Sequence, residues 1–212
     1  MCNATQTELP KIAAIHRRAF PNSLATAMGQ TYVEKMLEWF LSTNKTYLYY
    51  TRNEDGEIVG YTGAMLKDGV LPTGSASGML QYSFNNAIIA FIKRPWLVFH
   101  KEMKNKYKLM ISNILRKFFK IGNVITPESF KSSNENIPVL ALVVMGTNPE
   151  LFSKGVGSAM LQESDKLAKR LNVNKLELTV LIDNERAIKA DERNGWKRGA
   201  IHGKGMTMYK YV

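Results

Sequence analysis

The chain holds a single cysteine, Cys2, in 212 residues. It can close no internal disulfide, and no cysteines stand at metal-ligand spacing, so no metal is expected. A reducing compartment, the cytoplasm, is the expected location. Long hydrophobic runs are also missing. The longest aliphatic stretch is VLALVVM, residues 139–145. It suits a buried strand and is far short of the ~20 residues that a membrane-spanning helix needs. No apolar run precedes Glu8, so no secretory leader is expected. Acidic residues are scarce in one region: residues 67–136 carry eleven Lys and Arg against four acids, within a net charge of +11 for the whole chain. An excess of that kind favours anionic partners, which include nucleic acid, phosphorylated small molecules and acidic membrane surfaces.

What remains is ample core material, with 45% hydrophobic residues. Apolar spacing predicts a helix over 7–20, capped by Thr7, and a second over 32–41. TYLYYT (46–51) and EIVGYTGAML (57–66) read as two strands of a hairpin turned at Asp55-Gly56. Residues 69–78 read as a loop and 80–93 as helix. A longer amphipathic, cationic helix is expected from Pro95 to Ile121, with Trp96, Phe99, Tyr107 and Phe118 on its apolar stripe. PVLALVVMGT reads as a strand buried on both faces. Then come a glycine turn, a helix, the strand KLELTVLI (175–182), a helix over 185–193 capped by Asn184, Gly195 just past its end, and two short closing strands. This order predicts one α/β domain, 1–212, with a mixed sheet and a basic, largely helical insertion at 67–136.

The glycine turn, FSKGVGSAML (152–161), has the makings of an anion site. Glycines allow close backbone approach, and a helix N-terminus presents free N–H groups. It is not a nucleoside-triphosphate loop, because Val156 rather than Lys follows Gly155. A dinucleotide fingerprint fails as well, since Met160 stands where the third glycine belongs.

The turn does resemble the acetyl-CoA-binding turn of the GNAT superfamily of acyl-CoA N-acyltransferases. That family's pattern, P-E-x-[RQ]-x-x-G-x-[GA], is matched by Pro149, Glu150, Gly155 and Gly157, with Phe152 at the usual Arg or Gln. A second block, NERAIKADERNGW (184–196), is similar to the family's N-x-x-A-x-x-[FL]-Y-x-x-x-G-F. The resemblance covers residues 138–212 well and implies a GNAT-type central sheet with helices on both faces. It also implies acetyl-CoA as co-substrate. The backbone of Met145, Gly146 and Thr147 would meet the pantetheine arm. The N–H groups of Ser153, Lys154, Gly155, Val156, Gly157 and Ser158 would meet the pyrophosphate, with Asn184 at the pantetheine or capping its helix.

The general acid is a departure. Asp191 stands where the family commonly has Tyr, and an ordinary Asp is ionised at pH 7, so it could donate a proton only if desolvated. Tyr61, Tyr209, Tyr211 or water could replace it. His16 and Glu177 are the candidate bases. The expected reaction moves acetyl from acetyl-CoA to a primary amine of a small molecule, such as an amino sugar or its nucleotide- or lipid-linked form. The layout also resembles bacterial acyltransferases of surface-polysaccharide assembly. Nucleic acid is not an expected partner, whereas the basic helix could touch a membrane surface. The alternative is a CoA-binding protein without catalysis whose basic insertion docks on RNA or an anionic membrane. The oligomeric state is left open.

Overall fold

In the computed structural model, residues 2–67, 75–103, 137–151 and 155–212 are described. The expected helix beyond residue 103, the polar loop at 126–136, and Phe152, Ser153 and Lys154 lie outside the described residues. Seven strands form one sheet in the order β1-β2-β3-β4-β5-β7-β6. They are β1 (Cys2–Asn3), β2 (Thr46–Arg52), β3 (Ile58–Lys67), β4 (Val139–Thr147), β5 (Lys175–Leu181), β6 (Lys197–His202) and β7 (Gly205–Tyr211). Only β4 and β5 pair in parallel; the other neighbours are antiparallel.

Each face of the sheet carries helices because alternate strand residues are apolar on both sides. On one face, Leu48, Tyr50, Ile58 and Tyr61 pack with α1 (Leu9–Ala19) and α3 (Gln30–Glu38), through Ile12, Ala13, Val33 and Leu37. On the other, Tyr49, Ala64, Leu140 and Leu142 pack with α6 (Val156–Arg170) and α7 (Glu185–Arg193), through Leu161, Ala168 and Ile188. A third cluster lies beside the first. There α2 (Leu24–Met28) and α5 (Phe84–Lys93) join Leu97 and Met103. The helix α4 (Ser75–Tyr82) precedes α5 and takes up part of the expected 69–78 loop.

Three local expectations are corrected. The first helix starts at Leu9, with Glu8 rather than Thr7 at its cap position. The hydroxyls of Thr5 and Thr7 donate to the Glu8 carboxylate at 2.6 and 2.9 Å, so Thr7 stabilises the entry turn and leaves the helix N–H groups alone. Leu24–Met28 forms a short helix that periodicity cannot reveal at that length; the Ser23 hydroxyl caps it by accepting from the Thr26 N–H. Finally, Pro95 opens a 3-10 helix, Pro95–Phe99, that ends at His100. This tight turn buries Leu97 and faces Trp96 and Phe99 to solvent, against the expected inward stripe.

A bulge shapes the middle of the sheet. Gly63 pairs with Val144 and Ala64 with Leu142, leaving Val143 as an extra residue on β4. Gly63 has to be glycine here, because an added Cβ would lie 2.6–2.8 Å from the Phe40 ring, and that ring is fully buried. The expected outcome for Gly63→Ala is a loss of about 1–3 kcal/mol by overpacking, read as an unfolding midpoint several degrees lower. An unchanged midpoint would refute this packing.

Candidate active site

The bulge divides β4 into two parts. From Val139 to Leu142 it pairs with β5, ending at Leu142 opposite Leu178. Beyond that point β4 continues to Thr147 along β3, while β5 continues to Leu181 along β7. The two strands therefore part company. A bulge adds local twist, which swings the second half of β4 away from its parallel neighbour. Asn148 donates its N–H to the Val59 carbonyl at 2.9 Å. By antiparallel alternation, Met145 and Thr147 then turn their own N–H and C=O away from β3 and into the gap. Open backbone groups of this kind can receive an amide-bearing chain in extended form.

The N-terminus of α6 faces the same region. An added Cβ on Gly60 would meet Met160 Sδ at 2.8 Å, Val156 Cγ1 at 3.1 Å and the Gly146 carbonyl at 3.3 Å. The first turn of α6 thus rests on β3 beside the open half of β4. Gly155 caps this helix with φ +79°, a left-handed conformation that suits glycine, and contributes no capping side chain. The first intrahelical bond in the turn runs from the Ala159 N–H to the Gly155 carbonyl at 2.9 Å. The N–H groups of Val156, Gly157 and Ser158 come before the helix can supply its own acceptors. No acidic residue stands in the first turn of α6, and among the described residues nothing lies within 4 Å of a Cβ added at Gly155 or Gly157. Fifteen residues of helix dipole end on it. A helix start of this kind can accept an anion.

A second contact ties α7 to this turn. Asn194, just past the end of α7, donates from Nδ2 to Ser158 Oγ at 3.0 Å and to the Ala190 carbonyl at 2.8 Å. Three residues back along α7 lies Asp191, only 4% exposed. Its backbone carbonyl receives N–H groups from Asn194 and Trp196. Its carboxyl has no hydrogen bond or ion pair among the described residues. Burial alone pushes it up to about 7, because the ionised form loses hydration without gaining a partner. Asn184 caps α7: its Oδ1 accepts from the Ala187 N–H at 3.2 Å. That oxygen is committed to the helix, which leaves the carboxamide nitrogen to meet a ligand.

On the opposite face, the Tyr61 and Phe20 rings cover Gly146, which has no room for a Cβ: the nearest ring atom would be 2.6 Å away. His16 lies against both rings. Its Nδ1 shares a hydrogen with the Tyr61 hydroxyl at 2.5 Å, and its buried Nε2 has no hydrogen-bond partner among the described residues. Burial pulls the imidazole down to about 4 and holds Tyr61 well above the ordinary tyrosine range.

Three sequence candidates lie in the paired part of the sheet. Glu177 pairs with Ala141, one residue before the β4–β5 ladder ends at Leu142 and Leu178, and its carboxylate is engaged by Lys175 at 3.0 Å. On β7, Tyr209 stands opposite Glu177, and Tyr211 stands opposite Lys175 at the closed end. The Val143 bulge and the Ser158–Asn194 tie were not anticipated. The clustering of Gly60, Gly63 and Gly146 was the signal for close packing there. Among the described residues, no group of His, Cys, Asp and Glu could hold a metal ion, and no helix is long and apolar enough to cross a membrane.

This arrangement is the fold of the GNAT acetyltransferases. The Acetyltransferase (GNAT) family model matches residues 123–196, the part holding β4, the glycine turn, α6, β5 and α7. Solved structures share the architecture over nearly the full chain. Ribosomal-protein-alanine N-acetyltransferase from Brucella melitensis is 16% identical with a TM-score of 0.55, covering 100% of this chain and 98% of that one. Arabidopsis thaliana NAA60 in complex with acetyl-CoA is 12% identical, with a TM-score of 0.55 and coverage of 100% and 97%. PaiA N-acetyltransferase from Thermoplasma acidophilum, in complex with coenzyme A, is 12% identical, with a TM-score of 0.52 and full coverage of both chains. At these identities the likeness is one of fold. No curated protein matches the sequence.

The two buried groups make opposite demands on stability. Asp191 is raised in the folded state, so its contribution is fully present below about pH 4 and is lost as pH climbs through about 7. His16 is lowered, so its contribution is present above the ordinary imidazole range of ~6.5 and is lost as pH falls towards about 4. Between these limits the two slopes oppose each other. Asp191→Asn removes one of them. The variant is expected to gain on the parent as pH rises from 4 to 8, by at most ~1.4 kcal/mol per pH unit. Urea unfolding across that range checks it; a parallel pair of profiles would show that Asp191 ionises normally.

Proposed function

We propose that this protein is an N-acetyltransferase that moves acetyl from acetyl-CoA to a primary amine of a small molecule. The observation that carries the reading is the parting of β4 from β5 beside an uncapped helix N-terminus. A pantetheine arm is an extended chain with amide groups, and it ends in a pyrophosphate. The gap offers backbone groups at Met145 and Thr147 for the first, and Val156 to Ser158 offer N–H groups for the second. Ser153 and Lys154 would complete the anion cradle from the preceding loop. Gly146, packed under Tyr61, holds this part of β4 in place beside the gap. An amino sugar on a nucleotide or lipid carrier, as in surface-polysaccharide assembly, suits a chain of net charge +11.

The reaction then needs little more than placement and proton transfer. The free amine attacks the thioester carbonyl carbon, the C–N bond forms, and the C–S bond breaks. The new amide loses one proton to water, and the departing thiolate takes one from the Asp191 carboxyl. A carboxyl near pH 7 in its titration retains a proton for donation at neutral pH and regains it readily. His16, with a pKa of about 4, is too weak a base to strip an ammonium group efficiently. Its part is to hold Tyr61 against Gly146 and so fix the floor of the site, with Nε2 free to meet the acceptor or a water.

Thermal unfolding with acetyl-CoA, CoA, ATP and NAD in parallel tests the binding half. Both CoA species at a hundred times Kd should add ~2.7 kcal/mol; equal shifts with ATP would reduce the site to a general phosphate cradle. Thiol release from acetyl-CoA with a panel of primary amines tests the chemistry. Asp191→Asn should lower kcat by about a hundredfold or more while leaving the CoA-induced shift in place. A variant as fast as the parent would assign the proton to water.

A further inference from the structure

The third cluster presents an unusual outer face. On α5, Phe84, Ala87 and Ala90 are buried against α2 and α3, and the opposite side exposes Asn85, Ile89, Ile92 and Lys93. The 3-10 helix that follows packs against α5, buries Leu97 in the same cluster, and turns Trp96, Val98 and Phe99 outward. Phe99 is 85% exposed, Ile92 74% and Trp96 63%. Five large apolar side chains thus face solvent within eleven residues, where single scattered ones are the norm.

The charge around this face is of one sign. Lys93 and Lys101 are exposed at its borders. Arg94 is turned inward, donating to the Ala27 carbonyl at 2.8 Å. From Gly69 to Pro127 the sequence contains one acid, Glu102. Its carboxylate is also turned inward, accepting the Leu24 N–H at 3.2 Å. Among the described residues of this strip, 84–101, the exposed charged side chains are lysines and none is acidic.

We infer that this face, formed by α5 and Pro95–Phe99, docks on an anionic lipid bilayer. Aromatic and aliphatic tips enter the boundary between headgroups and acyl chains, while the lysine stems reach back to lipid phosphates. A protein partner would be a poorer match, since lysine is depleted at protein interfaces and this strip lacks the polar rim of mixed sign that such interfaces use. Single-stranded RNA would use the aromatic rings for stacking but leave Ile89, Ile92 and Val98 uncovered. The inference stands independently of the acetyl-transfer reading, because no residue of the strand gap takes part in it.

Trp96 supplies the readout. The other tryptophans, Trp39 and Trp196, are partly or fully buried, so a fluorescence change on binding reports this face. The full chain is mixed with vesicles of phosphatidylcholine alone, or with one-third phosphatidylglycerol, at low and high salt. The expected result is a blue shift and co-sedimentation with the anionic vesicles only, weakened by salt. Ile92→Ser with Phe99→Ser should weaken binding by roughly tenfold or more, and Lys93→Glu with Lys101→Glu by a comparable factor. Both double variants should keep the parent's far-ultraviolet dichroism and unfolding midpoint, since all four side chains are exposed. No binding to either vesicle would overturn the inference. So would equal binding to both kinds, or self-association in sedimentation velocity that the serine variants abolish.

Discussion

The parting of one parallel strand pair sets the terms for the rest of the molecule. β4 and β5 share a ladder for four residues and then separate, because Val143 adds a residue to one strand and none to the other. An open strand edge inside a sheet leaves backbone N–H and C=O groups without partners, which a folded chain avoids unless something else satisfies them. The surrounding packing is arranged to keep this gap in place. Phe40 fills the space under Gly63, Tyr61 covers Gly146, and α6 lies on Gly60. Each contact depends on a glycine, so the two helical layers approach the sheet most closely where its hydrogen bonding stops. The α6 N-terminus reaches the opening as a consequence of that approach.

Burial also sets the electrostatics of two titratable groups. Asp191 and His16 are both deprived of water and neither gains an oppositely charged partner, so each is driven towards its neutral form. For an acid this raises the pKa into the neutral range; for imidazole it lowers the pKa well below it. The same cause keeps a protonated fraction on the Asp191 carboxyl at neutral pH and makes the His16 imidazole a weak base. The Ser158–Asn194 hydrogen bond ties the end of the Asp191 helix to the first turn of α6.

Much of this half of the chain was legible in its sequence. Gly155, the Asn184 cap, Gly195 at φ +84° and the boundaries of α7 follow from local rules about which residues tolerate which backbone angles. Of the two blocks that resemble the acetyl-CoA machinery, Gly155 and Gly157 fall at the start of α6 and 184–196 on α7 and its ends, as expected. Other features were not legible, for identifiable reasons. Thr7 suits a helix start by residue type, but its hydroxyl is taken by the Glu8 carboxylate and the helix begins at Leu9. At Pro95 an apolar stripe at helical spacing met a tighter turn, which rotated Trp96 and Phe99 outward. Glu177 and Tyr209 have suitable chemistry, but strand register keeps them within the paired part of the sheet, where Lys175 engages the Glu177 carboxylate.

The sequence by itself determined the order of elements, the α/β class, the glycine turn and the uneven positive charge, since each depends on residue type and near-neighbour spacing. Only the tertiary structure decided which groups share a site. Whether Asp191 is an ordinary carboxylate or a proton donor depends on the water that its neighbours exclude. Whether Trp96 belongs to a core or a surface depends on which side of a short helix finds a partner. The β4–β5 gap depends on register between strands joined through a glycine turn and a helix. These are long-range matters, fixed by packing between segments far apart in the chain, and no local pattern encodes them.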